Sequence, residues 1–231
     1  MNKKCVVVYS GGMDSFTLLH RCILGYGAQN ILTLGFRYGQ KHIREMGFAR
    51  SVCNKLSIER REIDLLNVFN AASIGLSSSL TSENVNVPEG HYAALNMTLT
   101  VVPGRNTIML AIAMAVAQEI GADSVYYRAH AGDHTIYPDC RSSYIRAMDM
   151  VFTEATESAV ELNAPFQYWS KGEILVYGLR DLGLKPEDYA NTYTCYNGNV
   201  TPCGKCGACT ERAEAFAFSG AVDPTAVLPT V

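Results

Sequence analysis

Five stretches of the 231-residue chain carry residue types that can do chemistry. The first is Tyr9-Ser10-Gly11-Gly12-Met13-Asp14-Ser15, which follows the β-branched run Val6-Val7-Val8. Phe16, Leu18, Leu19, Ile23 and Leu24 come next at helical spacing. A buried strand, a glycine turn and a helix N-terminus are the parts of a phosphate cradle. The glycines admit an anion close to the backbone, and the first helical N–H groups point at it. No Gly-Lys-Ser/Thr follows, so this is not a P-loop, and amides and hydroxyls would have to hold the phosphate. An ordinary strand–turn–helix capped by Asp14 or Ser15 would read the same way.

The densest polar stretch is His130 to Arg141, with two histidines (His130, His134), two aspartates (Asp133, Asp139), Tyr137, Cys140 and Arg141. Arg37-Tyr38-Gly39-Gln40-Lys41-His42 and Val102-Pro103-Gly104-Arg105-Asn106 are two further polar turns. Arg105 reads as a fork for phosphate or carboxylate, and Asn106 as a helix N-cap. The tail holds Cys195-x7-Cys203-x2-Cys206-x2-Cys209. Four thiolates at this spacing close a tetrahedron around one metal ion, zinc or an iron–sulfur centre. Four protein ligands leave no open position, so the site is structural. Redox thiols are the other reading of the same cysteines.

These residues need elements to position them. Ile31–Phe36, Arg60–Leu65 and Asp123–Ala129 read as strands after the first one. Helices are expected at 107–120, 142 to about 160 and 171–182. Ser170 and Glu173 form a capping box for the last. Lys171 is an odd choice for a first helical turn, because the helix dipole disfavours a cation there, and this points to a ligand-facing role. Strands alternating with helices predict an α/β fold, a Rossmann-like parallel sheet with helices on both faces. Ligands then sit beyond the carboxyl ends of the strands, where all these turns fall. Residues 70–98 are polar and turn-rich, a lid candidate.

Composition narrows the class. The 48% apolar content supports a packed core, and a net charge of −3 argues against a broadly basic nucleic-acid surface. Four of the eight cysteines lie in the tail cluster, which suggests reduced thiols and one metal site. No leader-like or membrane-spanning apolar run is seen, so a cytoplasmic protein without a membrane partner is expected.

The Ser10–Ser15 turn resembles the pyrophosphate-binding loop of the ATP pyrophosphatase families. With Phe36–His42, Val102–Asn106, Gly132–Arg141 and Thr194-Cys195-Tyr196-Asn197-Gly198 plus three cysteines, all in order, the chain is similar over nearly its whole length to the 7-cyano-7-deazaguanine synthase family of the queuosine pathway. The resemblance implies an adenine nucleotide α-hydrolase-like domain over 1–190 and a small zinc-binding subdomain over 191–231. It implies conversion of 7-carboxy-7-deazaguanine, ammonia and ATP to the nitrile, by carboxylate adenylation, an amide intermediate and dehydration, with AMP and pyrophosphate released. It further implies Mg²⁺, one structural Zn²⁺ per subunit and a homodimer, with no direct nucleic-acid partner.

On that resemblance Tyr9 to Ser15, Tyr38, Gln40 and His42 bind the nucleotide, with Asp14 meeting Mg²⁺ through water. Arg105, Asn106, Asp133, Tyr137, Asp139 and Arg141 bind the substrate. Asp14, Arg105, Asp133, His134 and Lys171 are the catalytic candidates, with Asp133 or His134 as base. Tyr127-Arg128 departs from the small residue expected there and leaves open a variant that stops at the amide. An ATP-dependent tRNA thiolase of the same superfamily is the competing enzyme, and a zinc-knuckle binding module the non-enzyme reading.

Overall fold

The computed structural model describes residues 4–226. Five parallel strands form one sheet: β1 (Cys5–Val8), β2 (Ile31–Arg37), β3 (Glu59–Asp64), β4 (Ser124–Tyr126) and β5 (Glu161–Asn163), in the order β3-β2-β1-β4-β5. Val6 pairs with Leu32 on one side and Val125 on the other. Strand side chains alternate between faces, so β1 feeds two cores. Val6 packs with Leu32, Leu34 and Phe36, and with α4 (Arg105–Ile120) and α5 (Ser142–Ala155). Cys5 and Val7 pack the other way, against α1 (Met13–Tyr26), α2 (Arg44–Leu56), α6 (Lys171–Arg180) and α7 (Gly207–Ser219). A short helix, α3 (Leu66–Ala71), follows β3. The expected Rossmann-like sheet with helices on both faces is present.

Several boundaries differ from the sequence expectation. β5, three residues long, went unread, and α5 stops at Ala155 before it. The expected strand 123–129 pairs only over Ser124–Tyr126, and the chain then leaves the sheet. Gly104, in the left-handed region at φ +66°, caps α4 in place of Asn106, which lies buried inside the first turn. The Ser170–Glu173 capping box is formed as expected. Residues 70–98 form an anchored strap. Leu80 is in the core, Ser79 N donates to Leu99 O at 2.7 Å, and Gly90 N donates to Lys205 O at 2.9 Å. Among the described residues, no helix is long and apolar enough to cross a membrane.

Candidate functional site

Strand order reverses between β1 and β4, so the loops after these two strands diverge and leave a crevice at the sheet's carboxyl edge. A solvent-open cleft of about 1180 Å³ lies there. The Ser10–Ser15 turn forms its floor. Gly12, in extended backbone, caps α1, so neither Asp14 nor Ser15 does. Ser10 Oγ accepts from Gly12 N at 3.2 Å and lies 3.2 Å from Ser15 Oγ. Gly11 has φ +102°, and a Cβ on it would sit 2.3 Å from the Glu45 carbonyl oxygen. Only glycine therefore lets the turn rest against the start of α2. Gly11 O in turn accepts from Tyr193 N at 3.0 Å.

One end of the cleft is a dense charge cluster. Lys171, buried at the start of α6, pairs with Asp14 and reaches Glu211 of α7 at 3.3 Å. Arg128 pairs with Asp133 and approaches Asp14 at 3.8 Å. His130 Nδ1 accepts from Gly132 N at 3.1 Å, which leaves the ring proton on Nε2. That nitrogen faces Asp133, Asp14 and Glu211 at 3.5, 3.6 and 3.7 Å. Burial alone would raise the Asp14 carboxyl, but Lys171, His130 and Arg128 hold it down at about 2. Asp133 is lowered likewise: His130 and Arg128 outweigh its burial.

The other end is organised by Arg105. Its guanidinium donates to Tyr38 Oη at 3.2 Å and to Asn106 Oδ1 at 3.2 Å, and stacks over the Tyr38 ring. His42 Nε2 lies 3.5 Å from Tyr38 Oη and 3.6 Å from Glu45 Oε1, and its Nδ1 has no partner. Burial and the Arg105 charge bring His42 down to about 3, so it is neutral. Burial pushes Glu45 up to about 8 against the pull of Arg105, Arg128, Gln40 and Arg60.

Of the residues the sequence singled out, Tyr9, Ser10, Gly12, Met13, Asp14 and Ser15 face the cleft on one side. Tyr38, His42, Arg105, Asn106, Asp133, Tyr137 and Lys171 join them. Others do not line it. Gln40 holds its own turn, accepting from Tyr38 N and donating to Phe36 O. Arg141 is exposed and donates to the His134 carbonyl at 2.9 Å, so these two pair with each other away from the cleft. The Asp139 carbonyl accepts from Tyr127 Oη at 3.1 Å. Sequence reasoning missed Glu45, Arg60 and Glu211, quoted His130 and Tyr196 in their motifs without giving them a site role, and read Arg128 only as a departure. Glu45 and Glu211 did leave a signal. Each is a charge on the core-facing stripe of its helix, in register with Ala49 and Val52 or with Ala208 and Ala215.

The four tail cysteines converge. Their Sγ atoms all lie within 4.8 Å of one another, three of them on buried residues. Cys203 N donates to Cys195 Sγ at 3.3 Å and Cys206 N to Cys203 Sγ at 3.3 Å. Such N–H···S bonds stabilise metal-bound thiolates. The cluster fits one tetrahedral ion, whose M–S bonds of about 2.3 Å set S–S edges of about 3.8 Å.

Fold and site together define a Rossmann-like α/β protein with a cleft at the switch point and, beside it, a four-cysteine cluster of metal-ligand geometry. The chain matches the family model described as Queuosine biosynthesis protein QueC over residues 4–220. It is 50% identical over 224 residues to a 7-cyano-7-deazaguanine synthase of Marinomonas sp. (strain MWYL1), covering 97% of this chain and 98% of that one. It is 47% identical over 226 residues to the synthase of Marinobacter nauticus, covering 98% of each chain. The chain belongs to the QueC family of queuosine-biosynthesis enzymes.

Proposed function

We propose that the chain converts 7-carboxy-7-deazaguanine and ammonia to 7-cyano-7-deazaguanine at the expense of ATP. The observation that carries this reading is the pairing of a cation-backed Asp14, beneath a phosphate-type turn, with the Arg105–Tyr38 fork across the same cleft. The turn's amides and hydroxyls hold the polyphosphate, and Lys171 and Arg128 offset charge that grows on the departing pyrophosphate. Mg²⁺, when bound with ATP, neutralises the triphosphate, and Asp14 is the carboxylate placed to meet it. Arg105 orients the substrate carboxylate, an anion that a guanidinium fork recognises. The carboxylate oxygen attacks the α-phosphorus and pyrophosphate leaves. Ammonia then displaces AMP to give the amide, and a second activation removes the amide oxygen with AMP to give the nitrile. The strap's Leu80 and the buried Tyr9 and Met13 wall the acyl adenylate from water.

Residues 1–190 serve as the nucleotide-binding part and 191–231 as the metal knuckle with its docked helix. The metal is zinc, because one ion draws four sulfurs closer together than a polynuclear cluster does. The thiolase reading is disfavoured by Cys140, the one cysteine that lines the cleft. Burial pushes its thiol up, which suppresses the thiolate a sulfur transfer needs. We also infer a cytoplasmic homodimer. The test is incubation with ATP, Mg²⁺, ammonium and 7-carboxy-7-deazaguanine, read by mass. Nitrile with AMP release is expected; amide alone would mark the shortened reaction, and no AMP above background would refute the proposal.

A further inference from the structure

Nitrile formation from ammonium strips four protons from one nitrogen. One leaves as ammonium becomes ammonia. A second leaves when the C–N bond forms and the acyl C–O bond to AMP breaks. The last two leave as the second C–O bond to AMP breaks and the C≡N bond forms. A proton-accepting group must therefore face the acyl carbon's side of the cleft.

Four carboxyl groups line the cleft: Asp14, Glu45, Asp133 and Glu211. Three are taken. Asp14 and Glu211 share Lys171, and Asp133 is paired with Arg128. A carboxylate already committed to an ion pair is a poor proton acceptor. His134, the other base the sequence suggested, does not line the cleft. Glu45 alone among the four has no lysine or arginine within salt-bridge distance. Its nearest ionisable neighbour is the neutral His42 ring, 3.6 Å away.

Glu45 is also the best positioned of the four. It sits in the first turn of α2, and its backbone carbonyl is the atom against which Gly11 packs. The carboxyl is thereby fixed to the turn that would hold the leaving pyrophosphate. The charged groups facing it come from every neighbouring element: Arg60 from β3, Arg105 from α4 and Arg128 from the loop after β4, with His42 and Gln40 from its own turn. These cations offset part of the cost of burial without closing on the carboxyl, so the proton-accepting form grows as pH rises.

We infer that Glu45 is the group that accepts protons from the substrate nitrogen during amide formation and dehydration. It passes them to bulk water through the open mouth of the cleft. His42, with its unpartnered Nδ1, holds the carboxyl in place and is a positioning residue. The inference rests on the synthase reading above, and the adenylation half-reaction separates the two. Carboxylate attack on ATP removes no proton from nitrogen, so it does not require Glu45.

The experiment compares full-length, metal-loaded wild type with Glu45→Gln and Glu45→Asp. Two readings are taken: pyrophosphate–ATP exchange with 7-carboxy-7-deazaguanine in the absence of ammonium, and amide and nitrile formation in single turnovers with ammonium across pH. Glu45→Gln is expected to slow the nitrogen steps by at least about 100-fold. It is also expected to flatten their rise with pH, while exchange is retained to within about tenfold. Glu45→Asp is expected to restore the pH-dependent limb, which a merely structural role would not do. Nitrogen steps within about threefold of wild type in Glu45→Gln would overturn the assignment, as would an equal loss of exchange and amide formation in a variant that keeps its metal. A wild type with neither exchange nor AMP would refute the synthase reading and take this inference with it.

Discussion

The buried pair at the Arg105 end of the cleft has an unusual consequence for stability against pH. His42 is brought down from 6.5 to about 3, so the fold holds it neutral. The stability it contributes is present above pH 6.5 and is lost as pH falls towards 3. Glu45 is raised from 4.5 to about 8, so the fold holds it protonated. Its contribution is present below pH 4.5 and is lost as pH rises through 8. Between 4.5 and 6.5 the two slopes oppose each other. Between 6.5 and 8 His42 has finished titrating in the unfolded chain and only Glu45 acts. That window is about 1.5 pH units wide, and at about 1.4 kcal/mol per unit the loss is about 2 kcal/mol. The Glu45 side chain is only 13% exposed, so solvent screening discounts this little. The assay is urea unfolding of metal-loaded wild type and Glu45→Gln at a series of pH values. The stability difference between the two is expected to shift by about 2 kcal/mol across the window, with wild type losing ground as pH rises. A difference that stays flat from pH 6.5 to 8 would show that Glu45 ionises as freely in the fold as in the open chain.

Three other changes have defined outcomes. Gly11→Ala forces a Cβ to 2.3 Å from the Glu45 carbonyl at φ +102°, and is expected to cost about 2–4 kcal/mol in thermal or denaturant unfolding and to weaken ATP binding. Lys171→Met leaves Asp14 and Glu211 buried without their shared cation. It is expected to cost about 3–5 kcal/mol in stability and to slow pyrophosphate–ATP exchange by about 100-fold or more, with unchanged exchange as the refuting result. Chelation of the metal is expected to abolish activity and lower the melting temperature together, since Tyr193, Thr194, Tyr196 and Glu211 all reach the cleft from the cysteine-bearing segment. Activity surviving complete metal loss would break that link.

Much of the fold is legible in the chain because most of its elements obey one periodicity. β1 and β2 are apolar on both faces, as a buried parallel strand must be, and α4 is apolar nearly all round. The strand that was missed, β5, and the one with only a weak pattern, β3, draw their stability from elsewhere. β5 has three residues and a buried Leu162 alone, too little for any pattern. β3, read from the sequence as Arg60–Leu65, is an edge strand written almost entirely in charge, Glu59-Arg60-Arg61-Glu62-Ile63-Asp64. Those charges pair along and across its surface, Arg60 and Arg50 with Glu62, and Arg37 with Asp64. Such pairing keeps the edge soluble and leaves only a weak strand pattern in the sequence.

The site divides along the same line. Residues in the turns and first helical turns of the carboxyl edge, such as Asp14, Arg105 and Asp133, could be read from position, because an α/β sheet gathers its strand-end turns and helix starts at one edge. Glu211 could not be placed that way, because α7 brings it in from the side, and Glu45, in the first turn of α2, carries no motif of its own. Glu211 depends on α7 docking through Ala215 and Phe216 into the core that α6 shares with α1, and on Lys171 bridging it to Asp14, about 200 positions earlier in the chain. Glu45 depends on a glycine 34 positions earlier having no Cβ. Gly11 therefore has two structural partners at once: it seats the start of α2, and through its carbonyl receives Tyr193 from the cysteine-bearing tail. A turn that looks from its sequence like a phosphate cradle alone is also the joint at which the Ser10–Ser15 loop, the Glu45-bearing start of α2 and the cysteine-bearing tail are held to one geometry.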